Sequence, residues 1–344
     1  MFAVLWIVAM GTVLASAGFL YQFFGARRDR RLYSSPGRWI DIGEGHKLYM
    51  LEKGAGVPTV LFESGIAATN LNWFHVQQSV SGFTNTASYD RAGLGWSSPG
   101  RTARTPGNIA QELHALLSCA GIKPPYILVG HSFGGLVMRR FALLYPEEVA
   151  SVLLVDPMRC EEWPPLNPGR QSEVDRGVKL SGIAIPIARF GLARLGVRSL
   201  LMRSGRVAGR LARAGGTSAQ HVLARVKDEV DKMPKEIRPI VAAHWSSPGF
   251  YAGMRSHVMA VPDTVREMQD AEPILGIPVV VLTPGKSTPL SDEKLAHIGD
   301  NVHQVIARAS AHWIHLDEPE LVIDSIREMV LAATAEAVPV PIPV

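Results

Sequence analysis

Cysteine is scarce in this chain of 344 residues, which contains only Cys119 and Cys160. Two isolated thiols exclude a disulfide framework and a zinc site built on cysteines. The sequence also lacks a metal-ligand cluster, a phosphate-binding glycine loop and a dinucleotide fingerprint, so it implies no cofactor. No repeat period is visible either, which excludes solenoids and propellers.

Charge is absent from residues 2–24. As a helix this run would span roughly 34 Å at about 1.5 Å per residue, which is enough to cross the hydrocarbon of a bilayer. Trp6 and Tyr21 lie where interfacial aromatic residues are found. We predict a membrane anchor at residues 1–25. A cleaved signal peptide is the alternative, with Ala-Ser-Ala at 15–17 as its cleavage site, although no Lys or Arg precedes the apolar run.

Four arginines follow the uncharged run, within the segment Ala26–Arg31. By the positive-inside rule, such a cluster favours a cytoplasmic location for the part of the chain that comes after it. Because SSPG closes this stretch, we predict a basic linker at residues 26–37.

Apolar β-rich runs alternate with helical patterns from residue 38 to residue 156 and again after Ile277. Alternation of this kind is typical of α/β proteins in which helices cover both faces of a mostly parallel sheet. We predict that residues 38–156 and 263–335 form this core. The Pro-rich tail at 336–344 is predicted to be extended and loose.

The stretch between the two halves of the core differs in character, and we predict a helical cap at residues 157–262. No acidic residue occurs between Gly177 and Lys227, while arginines recur among apolar residues. This pattern predicts helices with a basic face, which is either solvated or in contact with anionic lipid. Nucleic acid is not an expected partner, because no recognition motif accompanies the charge. The arginines that recur every three to five positions are Arg189, Arg194, Arg198, Arg203, Arg206, Arg210 and Arg213.

The strongest local signal is GHSFG, residues 130–134. It fits the pattern G-x-S-x-G, directly follows the predicted strand YILVG and opens a predicted helix. That is the setting of a nucleophile elbow, in which a serine occupies a strained turn between strand and helix. Glycines on both sides let the strand and the helix approach each other closely.

From residue 38 to residue 335 the chain resembles the α/β-hydrolase superfamily. Besides the elbow, three segments carry the resemblance: SYDRAGLGWSS (88–98), FESGIAATNLNW (62–73) and SAHWIHLDEPELV (310–322). The resemblance implies an α/β-hydrolase fold, with an eight-stranded sheet and a helical cap inserted into it.

The resemblance also implies roles for individual residues. Ser132 would be the nucleophile and His312 its general base, because His312-Trp313 matches the family's histidine segment better than His315 does. The oxyanion hole would be formed by the backbone N–H groups of Phe133 and Ile66. Ser64-Gly65 stands where many members have His-Gly.

The catalytic acid is harder to assign. The usual loop, which follows PVVVLT (278–283), has no acidic residue close by. Asp292 lies further on, in PLSDEK, where either Ser291 or Asp292 is predicted to cap a helix. Asp156 ends the strand after the nucleophile, and some haloalkane dehalogenases take their acid from that position. We predict Asp156 as the acid, with Asp292 as the alternative.

These residues predict a hydrolase that cleaves a hydrophobic ester through an acyl-enzyme, similar to carboxylesterases and lipases (EC 3.1.1). The expected partners are a small-molecule ester and the membrane. Hydrolysis of carbon–carbon bonds by the same fold is an alternative. So are a binding protein that has lost catalysis and a membrane-tethered interaction protein.

Overall fold

The computed structural model describes residues 1–159, 168–202, 224 and 227–336. The predictions for Cys160, for the four distal arginines from Arg203 to Arg213 and for the tail after Glu336 lie outside the described residues.

Eight strands form one sheet: β1 (Arg38–Asp41), β2 (Lys47–Lys53), β3 (Thr59–Glu63), β4 (Asn85–Asp90), β5 (Tyr126–His131), β6 (Val149–Val155), β7 (Val279–Pro284) and β8 (Val302–Ala307). Their order across the sheet is β1-β2-β4-β3-β5-β6-β7-β8. β2 is antiparallel to both of its neighbours, β1 and β4, while every other neighbouring pair is parallel. The predicted α/β-hydrolase fold, with a mostly parallel eight-stranded sheet, is therefore confirmed.

Helices connect the parallel strands and cover the sheet on both of its faces. Successive side chains of β5 show this, because Leu128 packs into the core on one face and Ile127 and Val129 into the core on the other. The helices of the described residues include Phe2–Leu32, Phe74–Val80, Pro106–Ala120, Phe133–Leu144, Pro168–Arg189, Leu192–Met202, Arg238–Trp245, Pro248–Met259, Val261–Gln269, Asp292–Ala296, Ile314–Asp317 and Pro319–Glu336.

The chain divides into two compact units. One combines residues 1–36 with residues 175–255, and the other combines residues 37–174 with residues 256–344 and contains the sheet. The N-terminal helix thus groups with part of the predicted cap, a relation that no local sequence pattern had indicated.

Within the first unit, the N-terminal helix continues to Leu32. The linker predicted at residues 26–37 is therefore largely helical. Asp29 supplies a physical reason, since its side chain is only 9% exposed and forms an ion pair with Arg194. Arg194 Nε also donates a hydrogen bond to Gln22 Oε1 at 2.9 Å.

This contact corrects the prediction for Arg194, which was assigned to an exposed basic face. Its side chain is only 2% exposed. A buried guanidinium is stable only where hydrogen-bond acceptors surround it, and the side chains of Asp29 and Gln22 provide those acceptors. Arg189 is exposed, in agreement with the prediction, and Arg198 is half-buried.

Within the described part of the chain, the helix Phe2–Leu32 is long and apolar enough to cross a membrane. A signal sequence near the N-terminus would have the same properties. The helix that ends at Arg189 and the helix that begins at Leu192 are long and apolar enough for a membrane span only when they are taken together, and a bend of 97° separates them.

Truncation of a side chain in the sheet should cost far more stability than the same truncation on the surface. Leu128 in β5 is fully buried, whereas Leu331 is 63% exposed. We expect Leu128→Ala to lower the free energy of unfolding by about 3 kcal/mol, through lost burial and a residual cavity. Leu331→Ala should change it by less than about 0.5 kcal/mol. Urea unfolding of the full chain in detergent measures both, and equal losses would contradict the assigned core.

Candidate active site

Ser132 lies in a strained turn between β5 and the helix Phe133–Leu144, with φ 53° and ψ −120°. Two flanking glycines make room for this turn. A Cβ on Gly130 would come within 2.5 Å of the Gly134 carbonyl oxygen, and one on Gly134 within 2.5 Å of the Glu63 carbonyl oxygen. Only glycine fits these positions, because real side chains essentially never approach backbone that closely. The turn therefore has the geometry expected of a nucleophile elbow.

Asp156 and His312 are hydrogen-bonded to each other, with 2.7 Å between Asp156 Oδ2 and His312 Nδ1. Asp156 follows β6 directly and adopts a left-handed backbone conformation with φ 41°. Its N–H donates to the Leu282 carbonyl oxygen of β7, which fixes the turn. The Asp156 side chain is 15% exposed and that of His312 is 38% exposed. The imidazole is thus held at Nδ1 by a mostly buried carboxylate while part of it faces solvent.

Asp292, the alternative acid, is exposed in the first turn of the helix Asp292–Ala296. The N-cap of that helix is Ser291, whose Oγ accepts from the Lys294 N–H at 3.4 Å. Of the two residues predicted to cap this helix, Ser291 is therefore the observed N-cap. Of the two predicted acids, Asp156 is the one whose carboxylate lies beside His312.

Three histidine rings pack together next to Ser132: His131 and His315 are buried, and His312 is partly exposed. His131 Nε2 lies 2.9 Å from the His312 carbonyl oxygen, so this nitrogen carries the proton and donates it. The His131 ring centroid is 4.6 Å from that of His312 and 4.5 Å from that of His315. His315 also packs on Trp73, with 4.5 Å between centroids. His131 and His315 thus pack against each other and against neighbouring rings.

Burial keeps both supporting histidines neutral. It lowers the pKa of His131 well below its usual value, and the neighbouring imidazoles of His315 and His312 lower it further. Burial also lowers the pKa of His315 to about 3, with a smaller contribution from His312. Of the three histidines, His312 is the one that contacts a carboxylate, that of Asp156.

The loop after β3 lies against the elbow. A Cβ on Gly65 would lie 3.0 Å from His131 Nδ1 and 3.6 Å from Ser132 Cβ. Ile66, which was expected to donate an oxyanion N–H, is the next residue, and its side chain is 36% exposed. Phe133, the other expected donor, is the first residue of the elbow helix and is buried.

Arg91 was not singled out from the sequence, yet it supports this loop. Its Nη2 donates to the carbonyl oxygen of Gly65, which belongs to the same peptide group as the Ile66 N–H. Its Nε lies 3.4 Å from Glu63 Oε1, and its guanidinium carbon lies 5.0 Å from the ring centroid of Phe133. Arg91 lies in the segment 88–98, which carries part of the family resemblance. Its contacts with Glu63, Gly65 and Phe133 could not be inferred from that segment, because those residues lie elsewhere in the sequence.

Asp90 holds the far end of the same loop. Its Oδ1 accepts from the Asn70 N–H at 2.9 Å, and its Oδ2 accepts from the Trp96 N–H at 3.0 Å. Burial raises the pKa of Asp90 to about 7, although both hydrogen bonds oppose this shift. The buried carboxylate thus joins the loop after β3 to the loop after β4.

Comparisons with known proteins agree on the fold. Residues 58–173 match the family model described as alpha/beta hydrolase fold. "Uncharacterized protein YqjL" of Bacillus subtilis (strain 168) is 32% identical over 105 residues, or 30% of this chain and 42% of that protein. An "AB hydrolase superfamily protein" of Gibberella zeae is 32% identical over 120 residues, or 33% of this chain and 37% of that protein. The chain spans less than half the length of these curated relatives.

Among solved structures, Cfl2 from Burkholderia cenocepacia superposes with a TM-score of 0.65 at 19% identity, over 86% of this chain and 95% of that chain. A thermophilic esterase from Thermogutta terrifontis superposes with a TM-score of 0.58 at 19% identity, over 87% of this chain and 99% of that chain. At such low identity the likeness shows the fold alone.

The neutral histidines make stability depend on pH. The folded-state pKa of His315 lies below the unfolded value of about 6.5, so the unfolded state binds more protons between pH 3 and about 6.5. The free energy of unfolding therefore falls as pH falls through this window. We expect His315→Phe to reduce the slope by up to about 1.4 kcal/mol per pH unit. Urea unfolding at several pH values measures the slope, and His303→Phe, at an exposed position of β8, is the control. An unchanged slope in His315→Phe would contradict the neutral, buried imidazole.

Proposed function

Since this chain belongs to the α/β-hydrolase superfamily, we propose that it is a serine hydrolase that cleaves an ester through an acyl-enzyme. The observation that carries the proposal is the hydrogen bond between His312 Nδ1 and Asp156 Oδ2, at 2.7 Å, in a chain whose Ser132 occupies a strained elbow.

In the proposed reaction, Ser132 Oγ attacks the ester carbonyl carbon while His312 Nε2 takes the hydroxyl proton. The same imidazole then gives that proton to the departing alkoxide, which leaves as the alcohol. Water, activated by His312, adds to the acyl-enzyme, and collapse of the second intermediate releases the carboxylic acid and returns the proton to Ser132. Asp156 holds His312 in the tautomer that leaves Nε2 free to accept, and it stabilises the imidazolium.

The oxyanion of each tetrahedral intermediate would be bound by the N–H groups of Ile66 and Phe133. Arg91 supports this role as a positioning residue. By holding the Gly65 carbonyl oxygen, it fixes the plane of the peptide whose N–H is that of Ile66 and polarises that N–H. A donor that is fixed before the charge develops needs no reorganisation during the reaction.

For the substrate we propose a hydrophobic ester, and for the location a membrane. The helix Phe2–Leu32 is long and apolar enough to be an anchor. The arginines near its C-terminal end favour the cytoplasmic side of the membrane for the unit that contains the sheet. A membrane-bound enzyme meets lipid-like esters at a high local concentration. Contact between anionic lipid and the exposed arginines of the cap is part of this proposal.

Hydrolysis of p-nitrophenyl esters, from acetyl to palmitoyl, tests the proposed reaction. We expect Ser132→Ala to abolish turnover, because the nucleophile is lost. Asp156→Asn should lower kcat on the order of 10⁴-fold, because it stabilises the wrong tautomer of His312. Asp292→Asn is the matched control and should retain activity, since that side chain is exposed. If no ester is turned over above the Ser132→Ala background, simple esterase activity is excluded and a carbon–carbon bond hydrolase or a binding protein becomes the better proposal.

The contribution of Arg91 can be measured separately. Arg91→Lys keeps a positive charge beside Glu63 but removes the planar fork that reaches both Glu63 and the Gly65 carbonyl oxygen. We expect kcat to fall by roughly 10²-fold or less, with little change in KM, because the oxyanion donor is displaced but still present. Arg101→Lys, at a side chain that is 47% exposed, is the control. A change confined to KM, or an equal loss in both variants, would contradict the positioning role.

A further inference from the structure

The helix Pro168–Arg189 ends in an apolar stripe that is exposed. Leu180, Ile183 and Ile187 recur at intervals of three and four residues, so they lie on one side of the helix. Phe190 and Leu192 continue the apolar run through the bend of 97°. These five side chains are between 40% and 57% exposed. Large apolar residues clustered in this way mark an interaction surface, and we call residues 180–192 the apolar corner.

Close backbone packing fixes the apolar corner against the N-terminal helix. A Cβ on Gly18 would clash with the carbonyl oxygen of Phe190, and a Cβ on Gly191 would come within 2.8 Å of the Tyr21 ring. We call the bend at Phe190 and Gly191 the tip of the corner. The tip is therefore level with Gly18 and Tyr21, inside the uncharged run of residues 2–24.

The next contact shows in which direction the chain continues. Arg194 pairs with Asp29 and bonds Gln22, and a Cβ on Gly25 would lie 2.8 Å from Arg194 Nε. Gly191 thus lies beside Gly18 and Tyr21, whereas the Arg194 side chain, three residues later, reaches Gln22, Gly25 and Asp29, toward the arginines that follow the uncharged run. The tip is the part of this segment that lies deepest along the apolar run.

These contacts give the depth of the corner. Gly18 precedes Phe24, the last large apolar residue before the arginines, by about 9 Å along the helix axis at about 1.5 Å per residue. Amphipathic helices that lie in a membrane interface bury their apolar face by about 5–10 Å. We propose that the apolar corner inserts beside the N-terminal helix into the acyl chains of the membrane, so that lipid hydrocarbon covers its exposed side chains. The proposal rests on the membrane anchor proposed above and is independent of the hydrolase reaction.

The backbone of the corner suits an environment without water. The N–H groups of Phe190 and Gly191 donate to the carbonyl oxygens of Pro186 and Ala188, at 3.0 Å and 3.1 Å, so these two donors of the bend are satisfied by the protein itself. Arg189 is the exposed charge next to the tip, and its long side chain can extend to the headgroups while its stem stays among the acyl chains.

Site-specific fluorescence in vesicles tests the insertion. The full chain carries Cys119→Ser and Cys160→Ser, and one cysteine at a time is labelled with an environment-sensitive dye in phosphatidylcholine vesicles. Ile183→Cys and Leu192→Cys report on the corner, and Val8→Cys reports on the N-terminal helix. Lys235→Cys, an exposed site in the same unit, is the control. We expect lipid brominated in its acyl chains to quench the dyes at 183, 192 and 8 and to leave the dye at 235 unquenched.

The other outcomes overturn the proposal and can be told apart. Quenching at position 8 alone would mean that the anchor is correct and the corner lies outside the bilayer. Absence of quenching at position 8 would remove the anchor itself, and an intact mass of the purified protein would show whether the N-terminal segment had been cleaved. Shielding of 183 and 192 from an impermeant thiol reagent without quenching by brominated lipid would indicate contact with a second copy. Ester hydrolysis by the same vesicles reports separately on the hydrolase reaction.

Discussion

The close approach of the elbow helix to the ends of β3 and β5 is the constraint on which the proposed site depends. It is possible only because Gly130 and Gly134 lack side chains, since a Cβ on either would meet a backbone carbonyl oxygen within 2.5 Å. The same approach holds Ser132 at a positive φ and brings the loop after β3 against it. Strain at the serine is thus maintained by packing that the whole sheet stabilises.

Around that turn, three imidazoles pack together, and His312 differs from the other two because it contacts a carboxylate and is partly exposed. His131 and His315 are held neutral by burial and pack against each other, whereas His312 has Asp156 at its Nδ1 and reaches solvent with part of its ring. An acid at the end of β6 suits this arrangement because parallel strands end at one edge of the sheet, so a carboxylate there lies close to the elbow.

Buried arginines have comparable structural roles in the two units. Arg91 links Glu63 to the peptide that follows Gly65, and Arg194 links two helices through Asp29 and Gln22. In each case the guanidinium is nearly inaccessible and its acceptors come from a distant part of the chain. Removing one partner would leave an uncompensated charge, so these contacts fix the geometry of their surroundings more than they add net stability.

Local patterns determined the alternation of strands and helices, the elbow at residues 130–134, the uncharged run at 2–24 and a short set of candidate residues, because periodicity and glycine spacing act over a few positions. The sequence left two acids open, placed Arg194 on the wrong surface and did not single out Arg91. Those questions concern pairs such as Asp156 with His312 and Asp29 with Arg194, which are 156 and 165 positions apart. Only the tertiary structure decided them, since burial and pairing depend on which distant segments the sheet and the helices bring together.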